Sequence, residues 1–280
     1  MTDKRIALVT GVSSGIGEAT AKRLMAAGYR VYGTRRRRPQ SGPSDYPLLT
    51  LDVTDDESVT AAVDELFRRE GRLDLLVNNA GIGIAPAAAE ESSINQARHI
   101  LDTKFLGMVR MIRAVVPQMR RQGGGRIINI GSIIGIVPLP YVALYAASKH
   151  AVEGYSEALD HELRGFGIRV SVIEPAYTRT AFEANNLMPD SPLEAYAQIR
   201  STLTKVMSQA MAKADAPEAV ADVIVRAALS DRPERRYTAG KLAGRLAFLR
   251  RFAPASLVDK AVRNSLQLNS NPARGETHER

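Results

Sequence analysis

The 280-residue chain has no cysteine and no tryptophan. Without cysteine there are no disulfides, thiolate metal ligands or cysteine nucleophiles. Histidine is scarce: His99, His150, His161 and His278 are the only four. None stands at metal-ligand spacing, so no metal is expected and each is read as structural or incidental. Long apolar runs are missing too. The opening MTDKRIALVTG is too briefly apolar for a signal-peptide core, so a cytoplasmic location is expected. The stretch 127–148 is uncharged over 22 positions, about a membrane span in length. It contains Asn129, Ser132, Pro138 and Pro140, and reads instead as a buried strand, a loop and a helix.

What is present is ordinary globular material, 45% hydrophobic and 24% charged. The net charge of +8 is unevenly placed. One basic run covers 35–38, and a second basic region covers 232–263. The second is read first as a solvated face. Its GRLAFLRRFAP segment, mixing basic and apolar residues, leaves peripheral contact with an anionic membrane open. Nucleic-acid binding has only net charge behind it.

Short apolar runs (RIALVT, RVYGT, LLTLDV, LDLLVNN, RIINIG and RVSVIEP) alternate with amphipathic segments near 15–27, 55–70, 97–121 and 141–165. Buried strands separated by helices predict an α/β protein with a doubly wound parallel sheet, a Rossmann fold. We expect one domain: a catalytic part over 1–230 with an insert at 178–215 after the sixth strand, and a basic helical extension over 231–280. The insert carries Asn185, Asn186, Pro189, Pro192, Leu187, Met188, Met207 and Met211. It reads either as a lid over an apolar ligand or as a segment packed on the sheet edge. Asp215-Ala-Pro-Glu218 predicts a helix start, with Asp215 as cap, Pro217 in the first turn and Glu218 reaching back.

Two strand ends carry chemistry. The first runs into TGVSSGIG, where Gly11, Gly15 and Gly17 allow a tight turn and close approach of a pyrophosphate to a helix N-terminus. The second ends in Arg35 and Arg36, where an acid would hold a ribose 2′-hydroxyl. Two guanidinium groups suit a 2′-phosphate instead, which predicts NADP(H) over NAD(H). Arg37 and Arg38 are read as solvated. Farther on stand LDVTD, NNAG, Ser132 and Tyr145-Ala-Ala-Ser-Lys149. Tyr145 and Lys149 share a helix face, where an ammonium can lower the pKa of a phenol.

These motifs, in this order and spacing, resemble the short-chain dehydrogenase/reductases, in the branch similar to 17β-hydroxysteroid dehydrogenases. The resemblance runs from Arg5 to about Leu229. It implies Tyr145 as general acid/base, Ser132 on the substrate oxygen, and Lys149 on both the phenol and the nicotinamide ribose. It implies cofactor contacts from Gly11, Ser13, Ser14, Gly15, Ile16, Gly17, Asp52, Val53, Asn79, Ala80, Gly81, Thr103, Pro175, Thr178 and Thr180. It also implies pairing through the helices near 97–121 and 141–165, giving a homodimer or homotetramer. Ala176 stands where the family's PGxxxT has glycine, so its φ must not be positive.

One residue departs from the pattern. In LDTKFLG, Lys104 stands where many members carry an asparagine that helps hold a water linking the active-site lysine to solvent. Its helical neighbours Ile100, Leu101, Gly107 and Met108 are apolar or small. Either its stem lies along that face with its head in solvent, or it is buried near Lys149 and the two titrate together. Two functions follow. The first is an NADP(H)-dependent oxidoreductase interconverting a carbonyl and a secondary alcohol on an apolar small molecule. The second is an NADP(H)-binding regulator whose turnover Lys104 has weakened.

Overall fold

The computed structural model of the chain describes residues 4–36, 44–180 and 186–268. Arg37, Arg38, Asn185 and His278 lie outside them. The strands are β1 Ile6–Val9, β2 Arg30–Arg35, β3 Leu48–Thr50, β4 Leu75–Asn78, β5 Gly125–Ile130, β6 Ile168–Pro175 and β7 Arg236–Ala239. They form one parallel sheet in the order β3-β2-β1-β4-β5-β6-β7. The helices are α1 Gly15–Ala26, α2 Asp56–Glu70, α3 Ile94–Leu101, α4 Gly107–Arg121 and α5 Ala143–Leu163. They continue with α6 Ala197–Ala212, α7 Pro217–Leu229, α8 Lys241–Phe252 and α9 Ala255–Ser265.

Helices cover both faces of the sheet. On one, Leu24, Val220 and Ile224 of α1 and α7 pack over Val9, Leu75 and Val77. On the other, Leu66, Met111, Val115 and Val152 of α2, α4 and α5 pack over Leu8, Leu76 and Ile127. Strands β1 and β4 are buried throughout, which is why they read as unbroken apolar runs. The winding direction reverses between them, and a crevice opens at the carboxyl ends of neighbouring strands at such a point.

The structure departs from the sequence reading in three places. A seventh strand, RYTA, lies inside the segment read as a helical extension and pairs with β6 from Val172 to Pro175. It is short, at the sheet edge and opens on an exposed arginine, so it lacks an apolar run. Second, α7 is not capped by Asp215. Ala216 holds the N-cap position and no side chain bonds there, because Pro217 keeps the residue before it extended. Asp215 instead accepts from Arg179 N at 2.9 Å and donates from its own N to Tyr177 O at 3.2 Å. Third, the helical pattern near 97–121 is broken by a π-helical turn, Asp102–Leu106. Arg110 pins that turn, donating to Asp102 and Asp56 at 2.7 Å each. The uncharged 127–148 stretch divides into β5, a 3-10 turn and the start of α5. Among the described residues no helix is long and apolar enough to cross a membrane.

Candidate active site

A cleft of 1320 Å³ opens over the carboxyl ends of β1, β4, β5 and β6. The glycine turn forms its floor. Gly11 and Gly15 have φ of 71° and 61°, a conformation that strains any side chain. Gly17 is behind the lining and is needed for space: a Cβ there would lie 2.2 Å from the Gly11 carbonyl oxygen. The Ser14 side chain makes no cap bond to α1, which leaves the opening amides of that helix to an anion. Ser13, Ser14, Gly15 and Ile16 line the cleft beside them.

Around this floor stand Arg35, Arg36, Asp52, Val53, Asn79, Ala80, Gly81, Thr103, Pro175, Thr178 and Thr180. Arg35 reaches Val12 O with Nη2 at 3.5 Å. Its Nε and the Thr103 hydroxyl are buried with no hydrogen-bond partner in the protein. Buried polar groups left so are costly, and the oxygens of a dinucleotide suit both. The cradle therefore fits a nicotinamide dinucleotide. Asp52 spends Oδ1 on Thr54 N at 3.0 Å and Thr54 Oγ1 at 2.7 Å, bonds that hold its carboxyl below the usual range. The Asn79 amide has a structural task. Its Nδ2 donates to the carbonyls of Thr10 and Gly11 at 3.0 and 2.9 Å, tying the glycine turn to β4. Ala176 is not among the residues with positive φ, as its side chain requires.

The remaining predicted residues line the same cleft. Ser132 Oγ accepts from Ile134 N at 3.2 Å and donates toward Pro175 O at 3.5 Å. Lys149 Nζ donates to Ile130 O at 2.7 Å and lies 5.8 Å from the Tyr145 ring centroid. Burial lowers the Lys149 ammonium to about 8, against the pull of the Glu153 carboxylate. Burial also pushes the Tyr145 phenol above its ordinary 10, and a hydrogen bond with Ser132 pulls it back. The one-turn spacing of Tyr145 and Lys149 predicts a lowered phenol pKa; desolvation instead raises it. At neutral pH Tyr145 thus holds its proton while Lys149 is charged. The α5 backbone that presents both is anchored by a chain of bonds. Asn78 donates to Asn129 at 2.9 Å, Asn129 to Ser156 at 2.8 Å and Ser156 to Val152 O at 2.6 Å.

Lys104 is buried, with 6% of its surface exposed, so its head does not reach solvent. The π-helical turn carries it into the cleft, where Nζ lies 4.5 Å from the Tyr145 ring centroid. Burial first, then the charge on Lys149, hold its ammonium well below the usual lysine range.

Two sets of residues at the site escaped the sequence reading. Behind Lys149, Arg236 bridges two buried carboxyls, Nε lying 3.1 Å from Glu153 and 3.6 Å from Glu174. Glu153 is one helical turn after Lys149, and Glu174 is the lone acid in VSVIEP, a signal that was available. The second set is the apolar end of the cleft. Met207 and Met211 of α6 line it, but so do Leu242, Leu246 and Leu249 of α8 and Val258 and Val262 of α9. The 3- and 4-residue spacing of those leucines marks an apolar stripe, which the basic residues between them hid. Of the other insert residues named above, Leu187 N donates to Gly83 O at 3.0 Å, and Met188 is 64% exposed, away from the cleft.

Comparison with known proteins identifies the family. A family model for short chain dehydrogenases matches residues 5–189. The 3-ketodihydrosphingosine reductase of Bacteroides thetaiotaomicron is 44% identical over 181 residues, spanning 65% of this chain and 66% of the relative. The estradiol 17-beta-dehydrogenase 1 of Rattus norvegicus is 37% identical over 256 residues, 84% of this chain and 73% of the relative. A short-chain dehydrogenase from Streptomyces avermitilis superposes with a TM-score of 0.79 at 29% identity, covering 97% of this chain and all of that one (100%). A short chain dehydrogenase from Burkholderia cenocepacia in complex with NADP gives 0.72 at 26% identity, covering 93% and 99%. The chain belongs to the short-chain dehydrogenase/reductase family, oxidoreductases that interconvert CH–OH and carbonyl groups with a nicotinamide cofactor.

Proposed function

We propose that this protein is an NADP(H)-dependent reductase of apolar ketones, with Tyr145 as the general acid. One observation carries the reading: Tyr145, Ser132 and Lys149 line a single cleft together with the glycine turn and an apolar wall drawn from α6, α8 and α9. Arg35 and Arg36, lining the cleft at the end of β2, support preference for the 2′-phosphate. The names of two relatives, one reducing a 3-keto sphingoid base and one acting at an estradiol hydroxyl, support a lipid-like or steroid-like substrate. Pairing through α4 and α5 into a homodimer or homotetramer belongs to the same reading and is supported by family membership.

When bound, NADPH supplies the hydride that reduces the carbonyl carbon. Ser132 orients the carbonyl oxygen. Tyr145 donates its phenolic proton to that oxygen as the C–O double bond becomes single, and takes the proton back in the oxidative direction. Lys149 stabilises the phenolate left behind. Lys104, an amine against the Tyr145 ring, takes the place of the family asparagine in passing protons between Lys149 and solvent.

The test is cofactor consumption against a panel of apolar ketones, with NADPH and NADH compared. NADPH is expected to win in kcat/KM, and Tyr145→Phe to lower kcat on the order of 10²–10⁴-fold while still binding NADPH. Equal use of NADH would overturn the cofactor preference. The buried Lys104 amine favours a second reading, a nucleotide-binding regulator with weak turnover. Tight NADPH binding with no oxidation across the panel would establish that instead.

A further inference from the structure

Helix α8 has two working faces. Leu242, Leu246, Leu249 and Ala253 line the cleft. Lys241, Arg245, Phe248 and Phe252, each one position earlier, form a parallel stripe rotated by about 100°. All four are exposed. That outer stripe lies opposite Ala243, which is fully buried, so it points away from the body of the protein. Phe248 and Phe252 are each 64% exposed, with ring centroids 4.8 Å apart. The Arg251 guanidinium lies 5.4 Å from the Phe252 ring. Leu257 at the start of α9 lines the cleft and is itself 58% exposed.

Large apolar side chains this exposed, next to each other, mark an interaction surface. Charge identifies the partner. Across 241–265 stand Lys241, Arg245, Arg250, Arg251, Lys260 and Arg263, against the single acid Asp259. A second copy of this basic surface would be repelled. Arg250 and Arg251 also border a concavity of 820 Å³ lined by Arg226 and Arg232, by Glu234, and by Arg236 paired with Glu174, so basic residues outnumber acids there too. Helices of 12 and 11 residues are too short to span a bilayer. Phenylalanine and arginine side by side on a short helix suit a headgroup interface, apolar rings below the phosphates and guanidinium groups among them.

We propose that the outer face of α8 and the start of α9 dock in the plane of an anionic lipid bilayer, and that the cleft behind them takes its apolar substrate from that surface. The docking stands on the helix faces alone. The delivery of substrate rests on the reading of the site as an apolar-ketone reductase.

The experiment is co-sedimentation of the full chain with vesicles of phosphatidylcholine alone or with one third phosphatidylglycerol, at low and high salt. Binding is expected with the anionic vesicles, to fall at high salt, and to be absent with the neutral ones. Phe248→Ser with Phe252→Ser, both outside the cleft, should cut the bound fraction at least tenfold while NADPH binding is unchanged. Arg245→Glu with Arg251→Glu should abolish the preference for anionic lipid. A chain that stays in the supernatant with every vesicle overturns the proposal. So does a phenylalanine variant that sediments like the parent, or one that dissolves a dimer, which would assign this face to a second copy. In a separate arm, turnover of a ketone dissolved in anionic vesicles should exceed that in neutral ones. Docking without that gain would overturn the delivery step and leave the surface assigned.

Discussion

At the scale of single residues, the site is governed by what burial does to charge. Lys149 and Lys104 are buried and Tyr145 is half-buried, and desolvation moves the phenol up and both amines down. Lys149 keeps its charge at neutral pH because a carbonyl 2.7 Å away accepts from it and Glu153 attracts it. Lys104 is held well below the usual lysine range, by its own burial first and then by the charge on Lys149. Because its ammonium is held below the usual lysine range, Lys104→Asn is expected to change the pH profile of NADPH-dependent ketone reduction. Profiles that superpose at both limbs would remove Lys104 from the proton path. The oddity of this lysine was legible in its apolar neighbours. Its burial was not, because a long side chain can leave an apolar face for solvent, and only the π-helical turn and the packing of α5 decide that it does not.

At the scale of elements, the glycine turn and helix α8 show two ways a short segment does its work. The turn works by close approach. Gly17→Ala puts a methyl 2.2 Å from a backbone oxygen and 2.5 Å from the Asn79 amide that ties the turn to β4. Overpacking of this kind costs about 1–3 kcal/mol, and the shift falls on the amides that would hold the pyrophosphate. Chemical denaturation should show a loss of that size, and fluorescence titration a larger loss of NADPH affinity. Retained affinity would mean the turn can move without disturbing the anion site. TGVSSGIG was readable because a glycine pattern reports local backbone geometry. The apolar stripe of α8 went unread for the opposite reason: its leucines are interrupted by arginines, and which face meets the cleft depends on where β7 places the helix.

For the whole molecule, the sheet buries a small electrostatic cluster whose protons are tied to folding. Burial and the charge of Glu153 push the Glu174 carboxyl from its ordinary 4.5 up to about 8. A group that holds its proton more tightly when folded contributes stability that is full below about 4.5 and is lost as pH rises through about 8. Lys149, lowered to about 8, adds a penalty present below 8 and relieved only between about 8 and 10.5. The melting temperature of the parent is therefore expected to fall steadily from pH 5 to pH 8. Glu174→Gln removes the larger titration and should flatten that decline. Glu153, also raised by burial, leaves a residual slope. A variant whose melting temperature falls as steeply as the parent's would show that Glu174 is ionised in the folded chain at pH 5.

The sequence alone determined the parallel sheet, the glycine turn and the Ser132, Tyr145 and Lys149 pattern, because apolar runs, glycines and one-turn spacings report local geometry directly. It also showed that Lys104 and the arginines after β2 needed explaining. Tertiary structure alone decided that a basic C-terminal segment supplies both the seventh strand and a wall of the cleft. It alone decided that Glu153 and Glu174 meet across Arg236. Those outcomes join residues tens of positions apart, and whether a charge is buried depends on what packs against it from elsewhere in the chain.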